Sequence, residues 1–506
     1  MADFLLGRPA SFSQASSETR PYAHYTLVSP YLQDRWKITR HLTVTAGVRI
    51  FYEPEPHAQA NYISAFEPSL YNPAAAPIVN ADGTITTTAG YNSLNGIIIN
   101  GANGVPLNLT NRHNWYWSPN IGIAWDVFGD GKTALRGGYG LNYARSPFSN
   151  DCSYVCSNNP PFVQTITLIN PAFPSATGGQ VAPASAATLT STDLNNHMSV
   201  IHNYSLSLEH EFHKGWLVST AYAGNAARDL SGSLNINQPP AASPYNFNPQ
   251  INSGAVFPYI YAPYQGYAAI NTFVNARQAN YNALEATVRH TIGQLFLSAA
   301  YTYQHALSEI RGNALFNGVS SIQDAYHPGN DYGSSTFNAT QTFSLSAVWN
   351  LPLFANTQGW KRTVLGGWKY ADVTTIYSGF NLDPHLAVPF QGLATRPDVT
   401  GQSLSGPQTV AEWFNTAAFA APAAGYFGNA GTGIIKGPGL INFDMALFKD
   451  FHITERHRIQ FRADVFNVFN HTNFRSVDTT FGDAQFGQVT SAADPRIAEL
   501  SLHYAF

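Results

Sequence analysis

The sequence predicts an all-β fold: a partial antiparallel transmembrane β-barrel of about thirteen strands, with short periplasmic turns and long extracellular loops. Three observations predict it. Apolar and polar residues alternate with period two in one segment after another, which is the pattern of strands with two unlike faces. Charged residues are only 11% of the 506 residues, against roughly 25% in soluble proteins, while aromatics reach 13%. Connections between the alternating segments are short and long in strict turn, so one rim carries tight turns and the other carries loops.

The alternation is clearest in the later part of the chain. Ile459, Phe461, Ala463 and Val465 interleave with Gln460, Arg462 and Asp464, and Leu500, Leu502, Tyr504 and Phe506 with Glu499, Ser501 and His503. The last strand ends on an aromatic residue, which suits a wall facing lipid better than a soluble domain. Its Leu502, Tyr504 and Phe506 are the candidate assembly signal for the barrel-assembly machinery. Earlier segments repeat the pattern. Leu42, Val44, Ala46, Val48 and Ile50 oppose Thr43, Thr45, Gly47 and Arg49; Leu284, Ala286 and Val288 oppose Glu285, Thr287 and Arg289. Strands are expected near 22–38, 41–53, 117–128, 132–145, 199–212, 216–228, 281–290, 294–307, 338–352, 364–379, 440–451, 457–470 and 496–506.

Tight turns are expected at Thr39–Arg40, Gly129–Asp130–Gly131, His213–Lys214–Gly215, Thr291–Ile292–Gly293 and His452–Arg456, several with the Gly or Asp that positive φ favours. Long stretches rich in Pro, Ala, Asn, Gly and Ser separate these hairpins: 54–114, 146–198, 229–280, 308–337, 381–439 and 471–495. Loops of that length are uncommon in compact domains.

The net charge of −4 leaves no electrostatic footprint for nucleic acid. No apolar run reaches the roughly 20 residues of a spanning helix. Residues 1–10 carry no basic start, apolar core and small-residue cleavage site, and the strand count is odd. Both point to a chain that begins inside a loop: residues 1–21 as an extracellular loop remnant, 22–506 as the barrel.

Chemical motifs are few. Gly131–Lys132–Thr133 lacks the leading glycine and the following helix of a phosphate loop, so a hairpin turn accounts for it. His210 and His213 are three apart, not the four of a zincin. No catalytic arrangement, metal cluster or cofactor site stands out. Cys152 and Cys156 are a candidate loop disulfide, with two idle thiols as the alternative. The segment holding Tyr245, Phe247, Phe257, Tyr259, Tyr261, Tyr264 and Tyr267 is crowded with aromatics. Tyr259, Tyr261 and Tyr264 are candidate ligand contacts, or they pack the loop on itself. Arg49, Arg136, Glu209, Glu285, Arg289, Arg462 and Asp464 fall on the polar faces, where a ladder holding the barrel's shape is the simpler role.

Several blocks carry a family resemblance. Tyr31–Arg49 ("YLQDRWKITRHLTVTAGVR") resembles a strand pair of TonB-dependent receptors. Ser118–Tyr143 ("SPNIGIAWDVFGDGKTALRGGYGLNY"), Asn280–Tyr303, Gly366–Gly379 and Trp413–Phe469 (with "WFNTAAF" and "FRADVFNVF") resemble blocks of their Oar-like subgroup, as does Asp3–Gly7 ("DFLLG"). The resemblance implies an outer-membrane receptor with a 22-stranded barrel and an N-terminal plug. Such receptors take up scarce solutes such as siderophores or glycans, using energy passed through TonB. Neither the plug nor the TonB-binding box has a counterpart in this sequence, so TonB would be met only through parts lying elsewhere. The expected partners are therefore outer-membrane lipid, the assembly machinery and an unidentified solute. A non-transport barrel for adhesion or surface interaction is the alternative.

Overall fold

In the computed structural model, thirteen strands form one antiparallel sheet in which every strand pairs with its neighbours in chain order. The structure describes residues 7–20, 22–145, 152–171, 179–212, 215–241, 257–291, 293–310, 322–388 and 395–506. The strands are β1 (Tyr31–Lys37), β2 (Leu42–Tyr52), β3 (Trp115–Asp126), β4 (Thr133–Ala144), β5 (Ser199–Phe212), β6 (Trp216–Asn235) and β7 (Tyr267–His290). They continue with β8 (Leu295–Ser308), β9 (Gln341–Asn350), β10 (Trp368–Tyr377), β11 (Leu440–His452), β12 (Arg458–Phe466) and β13 (Ile497–Ala505). Two short strands join from the side: Ala187–Thr192 runs parallel to β7, and Gly333–Ser334 pairs with β8. Among the described residues β1 pairs with β2 alone and β13 with β12 alone, so the sheet has two edges.

The alternation stays in phase across the whole sheet. One row of partners runs Leu42, Trp125, Leu135, Leu208, Thr220, Ala286, Tyr301, Phe343, Ile376, Ile441. Leu42 lies beside a tight turn and Ile441 beside a long loop, so the row climbs from rim to rim. That stagger is what tilted barrel strands require. The apolar face is the exposed one: Trp117 is 58%, Leu206 54% and Leu500 76% accessible. A sheet that shows its oily side so widely has not folded around a dry core.

The opposite face carries the polar residues. Arg136 and Glu209 pair across strands at 3.3 Å, as do Lys369 and Asp450 at 3.2 Å, while Arg462 and Asp464 pair along β12 at 2.7 Å. Arg49, Glu285 and Arg289 lie in the same phase. Charged residues stand in the apolar phase at Asp34, Arg228, Asp372 and Lys449, and the last two are buried. Asp372 is buried and accepts hydrogen bonds from the Thr374 hydroxyl at 3.0 Å and the Tyr370 hydroxyl at 3.4 Å. Lys449, next to the turn rim, donates to the Gly366 carbonyl and sits over the Phe451 ring. Asp372 and Lys449 both have polar partners, as buried charges require.

The tight turns owe their shape to local hydrogen bonds. The Asp126 carboxylate accepts from the backbone N–H of Gly129 and Gly131, both at 3.0 Å and both glycines at positive φ. The strand β4 that follows leaves no helix for a phosphate loop. The Thr39 hydroxyl oxygen likewise accepts from the N–H of His41 and Leu42.

Strand limits differ from expectation in four places, the simplest being β12, which ends at Phe466 rather than near 470. β1 starts at Tyr31, not near 22; His24 and Val28 make only isolated bridges to His57 and Tyr52. β6 and β7 run on to Asn235 and back from Tyr267, so the two ends of the expected loop 229–280 are a ladder that continues beyond the barrel strands and packs among the loops. Polar residues on both faces there hid it from the period-two test. A bulge interrupts this ladder where Asp229 takes positive φ. Finally, β9 and β10 are joined through a short helix, Trp360–Leu365, and the strand expected from 364 begins at Trp368. His213, Lys214, Ile292, Tyr245, Phe247 and residues 3–6 lie outside the described residues.

Candidate functional site: the external loop crown

The long connections fold into a crown with small cores of their own. In one core, Ile63, Ala65, Ile98 and Leu109 meet Cys152 and Cys156. Those cysteines are joined by a disulfide, and they lie in this core rather than at the surface. In a second core, Phe66, Leu189, Tyr267 and Ile270 come together. A third holds Phe414, Ala418, Phe419 and Ile435, edged by Trp413, Phe481 and Phe486. Strand Ser11–Ala15 joins the crown by pairing antiparallel with Thr165–Ile169.

The candidate aromatic segment sits on the second core. Asn237 is fully buried and anchors it: its amide nitrogen donates to the carbonyls of Tyr264, Tyr267 and Ala268, and its oxygen accepts from the Tyr264 N–H at 2.8 Å. The short 3-10 turn Pro258–Tyr261 is closed by the Gln265 amide, which donates to the carbonyls of Tyr259, Ile260 and Ala262. Within this frame the three tyrosines part company. Tyr264 packs edge-on against Phe66 at 4.8 Å and Tyr71 at 5.2 Å. The Tyr259 oxygen accepts from the Asn235 amide at 3.1 Å. Tyr261 is 41% accessible. Burial pushes the Tyr264 hydroxyl above its ordinary value, helped by the charge of Glu67. Burial raises Tyr259 too, against the pull of the Asn235 bond.

A buried polar hub ties three loops together. Arg396 and Asp331 pair at 2.7 Å with side chains only 8% and 5% exposed. The Arg396 guanidinium also donates to the Ala430 carbonyl at 2.7 Å. Gln323 accepts from the Arg396 N–H at 2.7 Å and donates to the Gly428 carbonyl at 2.9 Å. Gln238 donates to the Gln323 carbonyl and accepts from the Ala325 N–H. Gly433 closes the hub at φ +63, where a Cβ would run into the Ser334 carbonyl. A second ion pair, Arg112 with Glu55, is buried between loop segments. The sequence signal for the hub is slight: one arginine in an otherwise nearly uncharged, Pro- and Gly-rich stretch.

Among the described residues, no group of three or more His, Cys, Asp or Glu is placed to hold a metal ion. His210 is engaged with the Thr133 hydroxyl at 2.7 Å. What the crown offers is a preorganised frame with aromatic edges, suited to contact rather than to bond-making.

The family model described as an outer membrane beta barrel domain matches residues 1–499. The chain belongs to that family: it is a β-barrel protein of the bacterial outer membrane. It is similar to the outer membrane transporter YddB from Escherichia coli, at 11% identity and TM-score 0.47, over 95% of this chain and 53% of that one. It is also similar to the ferric-catecholate import receptor Fiu from E. coli K12, at 11% identity and TM-score 0.42, over 95% and 44%. A third similar structure is the siderophore receptor PirA from Acinetobacter baumannii, at 13% identity and TM-score 0.43, over 95% and 45%. The chain thus spans about half the length of these solved proteins. No curated protein matches it.

Proposed function

We propose that this chain forms the later part of the barrel wall of a TonB-dependent type of receptor, which takes up a scarce solute across the outer membrane. The observation that carries the reading is the sheet itself: a broad exposed apolar face suited to lipid backs onto a polar face with ion pairs suited to a watery lumen. The ordered sequence blocks from Tyr31 to Phe469 support the receptor type, and the braced external crown supports solute capture. Residues 22–506 are the barrel unit in this reading, and residues 7–20 belong with the external loops. Contact with TonB is assigned to receptor parts outside the barrel wall. Leu502, Tyr504 and Phe506 present the final strand to the assembly machinery.

Within the crown, Tyr261 is the best-placed of the three tyrosines to touch a solute, since its side chain is the one with a large exposed surface. The test is uptake of radiolabelled ferric chelates and oligosaccharides by cells with and without the gene. Loss of energy-dependent uptake of one of them on deletion, and its weakening by Tyr261→Ala, is the expected result. Normal uptake of the whole panel, with altered attachment of cells to one another or to surfaces, would replace transport with adhesion.

A further inference from the structure

Part of the crown reaches the exposed apolar face and borders an open cavity of about 520 Å³. Its floor is Tyr301, Phe343, Ile376 and Ile441, which are consecutive partners in the outward-facing row traced above. Its roof is Trp413 and Phe474, whose rings meet edge-to-face at 5.9 Å. Gln341, Gln408 and His471 stand at its rim.

The cavity is preformed. Asn473 clamps the roof to the end of β11: its oxygen accepts from the Ile441 N–H at 2.9 Å and its amide donates to the Ile441 carbonyl at 3.0 Å. The Trp413 N–H donates to the Gly487 carbonyl at 2.7 Å, and its indole N–H donates to the Lys436 carbonyl at 2.8 Å. With the indole nitrogen satisfied there, the ring contributes apolar surface to the cavity. The volume falls within the roughly 300–1,000 Å³ of small-molecule sites.

We infer that this cavity is a binding site for one acyl chain of an outer-leaflet lipid. Its floor is continuous with the face that meets the bilayer, so the chain enters from the membrane side. Its rim carries the amides of Gln341 and Gln408, suited to hydrogen-bond the ester or amide region where an acyl chain joins its headgroup. Its roof lies on the external side, which selects the outer leaflet. Tight occupancy would also brace the overhang formed by residues 408–413 and 471–474 against the barrel wall.

The test uses the full protein, isolated from outer membranes and reconstituted in phosphatidylethanolamine vesicles doped with a phospholipid carrying a diazirine at its acyl terminus. After illumination, labelled peptides are mapped by mass spectrometry. Peptides spanning 408–413 and 471–474 are expected to carry roughly tenfold more label than β5 around Leu206, the ratio that ~1.4 kcal/mol of added affinity gives. Ile441→Trp fills the cavity and should remove that excess, whereas Leu206→Trp, on the open face, should not. Phe474→Ala, which takes away half of the roof, should remove it as well if Ile441→Trp fails to fold. Equal labelling of the overhang and the open face overturns the inference. So does an excess that survives either cavity variant in protein with normal heat-modifiable gel migration.

Discussion

Replacing Arg396 with methionine is expected to unlock the external crown while leaving the barrel wall intact. The side chain is 8% exposed and its partner Asp331 is 5% exposed, at 2.7 Å. Methionine keeps much of the volume but leaves a carboxylate in a dry pocket without its cation. Removing one partner from a buried pair costs about 3–5 kcal/mol. The lost donation to the Ala430 carbonyl adds to that, since a buried acceptor loses its donor. Local opening of residues 322–334 and 395–432 should therefore rise by roughly two to three and a half powers of ten, at 1.4 kcal/mol for each. Hydrogen exchange of the reconstituted protein reads this directly: amides in those segments lose protection, while those of β5 to β8 keep theirs. The double variant Arg396→Met, Asp331→Leu removes both charges and should recover most of the protection. Unchanged exchange in the single variant, or a double variant no better than the single, would refute the hub as the element that locks these loops.

Other expectations follow from the same geometry. Phe66→Ala empties the centre of the aromatic group formed with Tyr71, Tyr264 and Tyr267, and should destabilise that core by about 3–5 kcal/mol, read as faster proteolysis within residues 53–114. Burial holds the hydroxyls of Tyr71, Tyr259 and Tyr264 above their ordinary values. A raised folded pKa gives a contribution that is complete below the unfolded value of about 10 and fades as pH rises through the folded values, so the crown should turn protease-sensitive only in that alkaline window. Deleting Phe506, 90% accessible at the end of the last strand, should lower the amount of heat-modifiable protein in outer-membrane fractions without changing its synthesis.

The strands were legible because their signal is local. Wherever one face meets an apolar medium and the other water, a period of two is written into every segment, and Leu42–Ile50 or Leu500–Phe506 can be read without any neighbour. The signal fails where that asymmetry ends. Beyond Asp229 and before Tyr281, β6 and β7 are surrounded by other loops or water on both sides, so Asn, Ser and Ala stand on either face. The crown was less legible still. Arg396 and Asp331 are far apart in the chain, and nothing near either one announces the other. Tyr264 read as a possible ligand contact because its partners Phe66 and Tyr71 come from a loop almost two hundred residues earlier. The Cys152–Cys156 pair could be proposed from an oxidising setting and the liability of free surface thiols, but its place in a dry core among Ile63 and Leu109 could not.

The margins of the sheet, β1 and β13, each hold a ribbon of amides and carbonyls that no other described strand meets. In hydrocarbon there is no water to occupy such groups, and each one left alone costs several kcal/mol. Pairing each edge with a further strand removes that cost. Because backbone groups recognise any extended chain, what selects the right strand there is the spacing of Leu500, Leu502 and Tyr504 along the seam: a slip of one residue would turn every oily side chain toward the channel.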